Sequence, residues 1–276
     1  MHPTLFRFEN LPIIGDLTIR TYGLMMALAF LTTYFILQWE LKRRQQEPTI
    51  AADIVFWAAI GGIVGGRLFY LFEHFSRTLQ DPLGMIFSGS GLVFHGGLIG
   101  GTIAVIIFLL KKGKPLGMYA DVIGPLLLIG HGIGRIGCFF AGCCHGVCTD
   151  SFLGVTFPKD SNAFHHQIQE GLINYSANHP LPVHPTQLYE MGFNFIMAFV
   201  LIKYIRPKLK YRWSTFALYF IITGAERFII EFIRVNPKGF LGLTNYQYTS
   251  IFLILSGAAI LKWFAKQPKT ELDMGK

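Results

Sequence analysis

The sequence predicts an all-α integral membrane protein of about seven transmembrane helices, with its N-terminus outside the membrane and its C-terminus in the cytoplasm. Hydrophobic residues make up 52% of the 276 residues and charged residues only 14%, with a mean hydropathy of +0.44. Soluble domains usually carry about a quarter charged residues. Apolar segments of about 20 residues, the length that spans the hydrocarbon core, recur near 20–38, 51–73, 92–110, 117–140, 186–205, 213–233 and 247–264.

The basic residues predict how these segments are oriented. Clusters of Lys and Arg follow the first, third, fifth and seventh segments, within 42–44, 111–114, 203–212 and 262–276. The positive-inside rule places these clusters in the cytoplasm. Because the net charge of +8 lies in short loops beside the membrane, we expect it to face anionic lipid headgroups and expect no nucleic-acid partner.

The chain shows no secretory signal, internal repeat or low-complexity tract. We therefore expect a single polytopic membrane domain, 1–276. The segment 143–185 is too short for an independent domain and too long for a simple turn. It is expected to form an extracytoplasmic loop region over the site.

The strongest indication of function is Arg135, in the glycine-rich stretch HGIGRIGCFFAGCCHG at 131–146. A guanidinium stays charged in practice, and placing one at membrane depth costs at least a few kcal/mol. Glycines around it, including Gly134, let another backbone or a ligand approach closely. A permanent cation in such a segment predicts a bound anionic group, and phosphate is the obvious candidate.

Two further polar residues interrupt apolar segments. Arg67 ends the stretch GGIVGGR of the second segment, where the glycines favour close helix packing. That packing does not explain Arg67 itself, which needs Glu73, another acidic residue or a lipid phosphate as its partner. His95 opens the glycine-rich third segment and is either a hydrogen-bonded structural residue or a general base near neutral pH.

Carboxylates and arginines also cluster near the last segments. Arg227, Glu231 and Arg234 share one face of a helix by their spacing of four and three. They form either an internal salt-bridge ladder or, with two arginines against one glutamate, a positive surplus for an anionic ligand. Gln187 and Glu190, one helical turn apart, can face the protein interior together.

The four cysteines, Cys138, Cys143, Cys144 and Cys148, are spaced C-x4-C-C-x3-C. This spacing is not that of a familiar zinc site. A disulfide is chemically allowed outside the membrane, but small buried thiols packed between glycines are favoured, and we expect neither a metal nor a cofactor. Tyr22, at the start of the first segment, is either an interfacial anchor or a site residue.

Together these motifs resemble one family, the bacterial prolipoprotein diacylglyceryl transferases. The resemblance covers nearly the whole chain, and the His-Gly-Gly-Leu and Gly-Arg-Ile-Gly elements are specific when they occur together. The matching motifs are YGLM from Tyr22, GR at 66–67, FHGGLIG from Phe94, DVIGP from Asp121, GRIG from Gly134, HPTQLYE from His184 and RFIIEFIR from Arg227.

The resemblance implies an enzyme of the bacterial inner membrane that needs no cofactor. Its partners would be membrane lipid, phosphatidylglycerol and the lipobox peptide of a preprolipoprotein. The diacylglyceryl group would move to the lipobox cysteine, form a thioether and release glycerol 1-phosphate. Implied catalytic residues are Arg135, which would hold the lipid phosphate, Arg227 and the base His95. Expected substrate-binding residues are Arg135, Tyr22, Arg67, Gly134, Cys138, Gln187, Glu190, Glu231 and Arg234.

The sequence departs from the family pattern in three places. Cys138 stands where an asparagine is usual, Cys143 where an acidic residue is common, and Thr223 where a tyrosine is found. Two alternatives therefore stay open. One is a divergent paralogue that binds lipid headgroups or transfers lipid to another acceptor, and the other is a membrane protein with a cysteine-based metal or redox function.

Overall fold

The computed structural model describes residues 4–11, 15–87, 91–159, 161–264 and 268. The chain opens with an antiparallel hairpin of β1 (Thr4–Leu11) and β2 (Gly15–Arg20). The helices that follow are α1 (Thr21–Arg43), α2 (Ile50–Glu73), α3 (Phe75–Gln80), α4 (Pro82–Phe87), α5 (Phe94–Lys111), α6 (Leu116–Ala141), α7 (Asn162–Gln169), α8 (Thr186–Val200), α9 (Ser214–Ile230) and α10 (Asn245–Trp263).

The mainly helical membrane class predicted from the sequence is confirmed. Among the residues that the structure describes, five helices are long and apolar enough to cross a membrane: α1, α2, α5, α6, and α8 with its continuation to Lys208. Phe35 on α1 and Phe72 on α2 are 59% and 75% exposed, as expected of side chains that contact acyl chains. The helices α9, of 17 residues, and α10 coincide with the sixth and seventh predicted segments. The count of seven spans and their orientation stay predictions.

The residues fall into two compact units. One contains the described residues up to 33 and those from 120 onward, and the other contains 34–119. In the second unit, α2 and α5 pack through glycines. A Cβ atom built on Gly61 would lie 2.6 Å from the carbonyl oxygen of Gly100, so side chains would force the helices apart. The helix-packing interpretation of these glycines is confirmed.

In the first unit, α6, α8 and α9 pack around a small apolar core. Leu128, Ala198 and Leu201 are almost fully buried there. The carboxylate of Asp121 on α6 accepts a hydrogen bond of 3.0 Å from the backbone N–H of Phe216 in the first turn of α9. A negative charge is stabilised at a helix N-terminus, so this contact fixes α9 against α6.

The last helix begins at a capping box. The Thr244 hydroxyl accepts from the backbone N–H of Gln247, whose side-chain oxygen accepts from the Thr244 N–H. Gly224 of α9 lets α10 approach closely, since a Cβ there would lie 2.8 Å from the Ser250 carbonyl oxygen. The cap places residues 244–247 beside the end of α9, where the site lies.

The segment between α6 and α8 is ordered around its own core. Phe157, Ala163 and Val183 are buried together. The buried amide of Gln167 donates to the Leu181 carbonyl at 3.0 Å, and its oxygen accepts from the Leu181 N–H at 2.7 Å. The segment therefore holds a defined shape, while its placement outside the membrane over the site stays a prediction.

Candidate active site

The last turns of α6 bring Arg135 into the interior of the first unit. Its guanidinium is only 13% exposed, and its Nε donates to His131 Nε2 at 3.1 Å. His131 lies one helical turn earlier, so the spacing of four residues makes this contact. An Nε2 that accepts a hydrogen bond carries no proton, which assigns the neutral Nδ1–H form to His131.

Glu190 of α8 is the centre of the site. Its side chain is completely buried, and one oxygen lies 2.6 Å from Arg135 Nη2. The other oxygen lies 3.0 Å from Arg234 Nη1 and 3.8 Å from Arg227 Nη1. One carboxylate thus contacts three arginines that come from α6, α9 and the segment after α9. Such an arrangement is stable only because each buried charge is paired.

Glu231 is the second buried carboxylate. It lies 2.8 Å from Arg227 Nη2 and 4.0 Å from Arg234 Nε. Two neutral groups also donate hydrogen bonds to Glu231: Asn236 Nδ2 at 2.6 Å and the Thr244 hydroxyl at 2.9 Å. The predicted ion pairs between Glu231 and both arginines are therefore present, and they extend into a larger cluster around Glu190.

Two guanidinium nitrogens in this cluster lack a hydrogen-bond partner. Among the described residues, Arg227 Nη1 and Arg234 Nε are buried and make no hydrogen bond. Their distances to Glu190 and Glu231, 3.8 and 4.0 Å, are beyond hydrogen-bond length. The Arg227 guanidinium also lies 4.4 Å from the ring centroid of Tyr246, a favourable cation–π distance. We call Arg135, Arg227, Arg234, Glu190 and Glu231 the arginine centre.

The arginine centre has a positive surplus, because three arginines face two glutamates in the ion pairs described. Glu226 of α9 does not cancel it by direct pairing. Neither of its carboxylate oxygens has a hydrogen-bond partner among the described residues. Buried charged donors without partners are costly, so the centre can bind a compact anion with several oxygens.

The loop after α6 is fixed by the start of α8. Gln187 Nε2 donates to the Cys143 carbonyl at 2.6 Å, and the Thr186 hydroxyl donates to the Cys144 carbonyl at 2.7 Å. The backbone turns through left-handed conformations at Gly142 and Cys144, with φ of +67° and +63°. Gln187 was expected to bind substrate, and the structure places it on the backbone of this loop.

Three thiols meet beside the arginine centre. The sulfur atoms of Cys138, Cys143 and Cys144 lie within 4.8 Å of one another, and all four cysteines are free. Hydrogen bonds from Cys138 and Cys143 lower the pKa of the Cys144 thiol, and Arg234 lowers it further. Hydrogen bonds to Cys138 and Cys144 raise the pKa of Cys143. Burial raises the pKa of Cys148, which lies outside this trio.

Tyr22 and Gly134 lie close to the same helix end. The Tyr22 backbone packs on α6, because a Cβ on Gly137 would lie 3.3 Å from the Tyr22 Cα. The Tyr22 ring is 43% exposed and interacts electrostatically with Arg135. A Cβ on Gly134 would meet only the Met26 sulfur, at 3.9 Å. Gly134 therefore leaves open space one residue before Arg135.

Arg67 and His95 belong to the second unit. Arg67 donates to the carbonyls of Ile86 at 3.2 Å and Gly91 at 3.1 Å, and also to that of Met85. These contacts join Arg67 to the end of α4 and to Gly91, and give it partners other than a lipid. His95 lies in the first turn of α5 with its ring exposed. The substrate-binding role of Arg67 and the catalytic role of His95 stay predictions.

Sequence reasoning missed some members of the site. The contact of His131 with Arg135 had a local signal, because residues four apart share a helix face. Asn236, Thr244 and Tyr246 had no such signal. Asn236 reaches Glu231 from the segment directly after α9, and Thr244 and Tyr246 reach the arginine centre because the capped start of α10 lies against the end of α9.

The fold and the site define a helical membrane protein with a buried cationic centre suited to an anionic group. Residues 10–263 match the family model described as prolipoprotein diacylglyceryl transferase. The chain belongs to this family and is a membrane-bound transferase. Two relatives are named phosphatidylglycerol–prolipoprotein diacylglyceryl transferase. The protein of Clostridium tetani is 34% identical over 93% of this chain and 95% of its own length. The protein of Bordetella avium is 32% identical over 92% of this chain and 93% of its own length. A Clostridium perfringens protein of the same name, numbered 2, is 33% identical over 88% and 90%.

Proposed function

We propose that this protein moves the diacylglyceryl group of phosphatidylglycerol to the lipobox cysteine of a preprolipoprotein. The observation that carries the proposal is the arginine centre, with buried Arg227 Nη1 and Arg234 Nε donors that lack partners. The names of the relatives supply the substrates, phosphatidylglycerol and a prolipoprotein. A lipid phosphodiester matches both the charge and the membrane setting of the centre.

The arginine centre would act mainly on the leaving group. When the glycerol carbon–oxygen bond breaks, an electron pair and a negative charge pass to the phosphate oxygen of glycerol 1-phosphate. Arg135, Arg227 and Arg234 can donate to that oxygen and its neighbours from fixed positions, because Glu190 and Glu231 already orient them. Donors that are preorganised in a site with little water stabilise developing charge strongly.

The acceptor must supply a thiolate, which is the nucleophilic form of cysteine. The positive surplus of the arginine centre favours loss of the thiol proton, and we propose His95 as the base that receives it. An open cavity of about 680 Å³ is lined by residues of the segment after α6 and by Arg234 and Asn236. This cavity offers an extended peptide a route to the arginine centre.

We further propose that the chain crosses the bacterial inner membrane seven times, with residues 143–185 on the outer face. The positions of α9 and α10 support the sixth and seventh spans. In this proposal the preprolipoprotein would present its lipobox at the same face of the membrane. The segment that forms the cavity would then be on the side from which the acceptor arrives.

Complementation of a strain depleted of its own prolipoprotein diacylglyceryl transferase tests the proposal. Mass spectrometry of a reporter lipoprotein should show the diacylglyceryl thioether when the wild-type chain is expressed. Arg135→Gln should lower thioether formation by about 10²–10³-fold, as loss of one preorganised donor does. Arg77→Gln is the matched control, because Arg77 is exposed on α3. Equal activity of both variants would remove Arg135 from the mechanism.

Absence of the thioether when the wild-type chain is inserted in the membrane would count against the proposed reaction. Purified protein given phosphatidylglycerol and a preprolipoprotein from the same source would then decide whether the acceptor was mismatched. Release of glycerol 1-phosphate in that assay supports the proposal. No release would favour the divergent paralogue that binds lipid without this transfer.

A further inference from the structure

The cysteine trio, Cys138, Cys143 and Cys144, has the dimensions of a metal site. Its three sulfur atoms lie within 4.8 Å of one another. A tetrahedral zinc ion with sulfur ligands at about 2.3 Å needs sulfur atoms about 3.8 Å apart. Small side-chain rotations could shorten the sulfur–sulfur distances by about 1 Å, and all three sulfurs could then bind one ion. Among the described residues, no fourth histidine, cysteine or carboxylate belongs to this group.

Backbone contacts help to assemble the trio, together with a hydrogen bond from the Cys143 thiol to the Cys138 carbonyl at 3.6 Å. The Cys143 N–H donates to the Cys138 carbonyl at 3.2 Å, which folds the chain back onto the end of α6. Gln187 and Thr186, both fully buried, fix the next two carbonyls. Cys144 adopts a φ of +63°, a conformation that costs free energy in a residue other than glycine. The fold accepts this strain and thereby turns Cys144 toward the other two thiols.

The surrounding charge also fits a metal–thiolate group. Three thiolates with one divalent ion carry a net charge of −1, which is opposite in sign to the charges of the neighbouring Arg234 and Arg135. Arg234 interacts electrostatically with Cys144, and Arg135 interacts electrostatically with Cys138. Donors that contact ligand atoms from outside orient them and tune the metal.

We propose that the cysteine trio binds one zinc ion and that the fourth coordination position receives the thiol of the acceptor peptide. The second part rests on the function proposed above. No metal was expected from the sequence, because the cysteine spacing is not that of a familiar structural zinc site. Structural zinc sites close four protein ligands around the ion. Catalytic zinc sites instead keep three protein ligands and one open position. The geometry of the trio matches this second type.

The coordinated acceptor would react without any change of oxidation state. Binding of the acceptor sulfur to the ion releases its proton to a base or to water, since a coordinating thiol is deprotonated. That sulfur then forms a bond to the glycerol carbon while the carbon–phosphate oxygen bond breaks and its electron pair stays on glycerol 1-phosphate. The thioether product is a weaker ligand than a thiolate and leaves the ion. The ion held by the trio would thus position the acceptor's nucleophilic sulfur beside the arginines that stabilise the leaving group.

Metal analysis of the purified full-length protein tests the first part. After chelation and reloading with Zn²⁺, the wild-type chain should retain one ion per chain, and Co²⁺ should give thiolate-to-cobalt charge-transfer absorption. Cys138→Ser, Cys143→Ser and Cys144→Ser should each lose both signals. Cys148→Ser is the matched control and should keep them, because Cys148 is exposed and contacts Gln167 instead of the trio. No stoichiometric binding, or equal loss in Cys148→Ser, overturns the metal site.

Thiol alkylation of the wild-type protein tests the site without any variant. Zn²⁺ should protect Cys138, Cys143 and Cys144 and leave Cys148 reactive, as read by mass spectrometry of peptides. Equal labelling with and without Zn²⁺ would contradict the proposal. This measurement does not depend on activity, so a failed complementation with intact metal binding would reject the proposed reaction while the metal site stands. Normal complementation without metal binding would reject the metal site alone.

A synthetic lipobox peptide added to the Co²⁺-loaded protein tests the fourth position. The cysteine-containing peptide should shift the charge-transfer band as a fourth sulfur binds, and the same peptide with serine should not. If neither peptide or both peptides shift the band, the acceptor thiol does not occupy the ion. The part of the proposal that concerns the acceptor is then wrong.

Discussion

Replacement of Glu190 by glutamine should be the most disruptive single isosteric change in the arginine centre. Glu190 is completely buried and lies within 4 Å of Arg135, Arg227 and Arg234. Among the described residues, it is the only ion-pair partner of Arg135. Glu190→Gln therefore leaves the Arg135 guanidinium buried beside two other arginines with no carboxylate of its own.

The expected magnitude follows from the environment of the lost charge. Breaking a buried ion pair by removing one partner costs about 3–5 kcal/mol. The glutamine oxygen can still accept one hydrogen bond, which recovers about 1 kcal/mol. A net loss of about 2–4 kcal/mol corresponds to a fall in melting temperature of roughly 10 °C for a chain of this size.

Thermal unfolding of the purified protein in one detergent measures the effect. Glu226→Gln is the control, because Glu226 is buried nearby on α9 and makes no hydrogen bond among the described residues. Loss of an unpartnered carboxyl should leave the melting temperature unchanged or raise it. Equal melting temperatures of Glu190→Gln and Glu226→Gln would refute the stabilising role of the Glu190 carboxylate.

The double variant Arg135→Gln/Glu190→Gln separates charge from packing. It removes one positive and one negative charge together, so it should be more stable than Glu190→Gln alone. Additive losses from the two substitutions would show that the two side chains do not stabilise each other.

Three further outcomes are expected. Gly61→Val should lower the yield of folded protein, because a Cβ at this position would lie 2.6 Å from a backbone oxygen of α5. Gly23→Ala should not lower the yield, because a Cβ there would have nothing within 4 Å. Size-exclusion chromatography measures the yield of both variants. Gln167→Ala should make the segment between α6 and α8 several-fold more sensitive to protease, since buried backbone groups lose their partners at about 1–3 kcal/mol each. Unchanged cleavage would contradict that role. Tyr246→Leu should lower transfer activity about 2–10-fold, because it removes the cation–π contact between the Tyr246 ring and the Arg227 guanidinium. Equal activity of Tyr246→Leu and wild type would show that this contact does not contribute to transfer.

The membrane helices could be predicted from the sequence because the bilayer imposes a simple requirement on length and polarity. The helices α2, α5 and α6 lie within a few residues of their predicted segments. The hairpin of β1 and β2 was not predicted. Its first strand does alternate apolar and charged residues, as in Phe6 and Arg7, a weak signal over so few residues.

Arg135 could be proposed as a site residue because an uncompensated cation in an apolar helix needs an explanation. The sequence could not predict that Gln187 and Glu190, both near Arg135, would contact different partners. Gln187 and Glu190 share a helix face, yet Gln187 contacts the backbone of Cys143 while Glu190 reaches the arginines. That difference depends on how α8 lies along α6, and the packing of two helices is not encoded in the local pattern of either one.

The neutral hydrogen-bond partners of Glu231 support the proposal that the arginine centre binds an anion in addition to its two glutamates. Glu231 receives hydrogen bonds from Asn236 and Thr244 in addition to its arginine contacts. Those neutral donors occupy one carboxylate oxygen, and the other oxygen lies 2.8 Å from Arg227 Nη2 and 4.0 Å from Arg234 Nε. A fully closed set of ion pairs would leave nothing to bind a ligand. A set held partly by an amide and a hydroxyl keeps the Glu231 carboxylate in place while Arg227 Nη1 and Arg234 Nε make no hydrogen bond among the described residues. These N–H groups would be preorganised for the proposed phosphate.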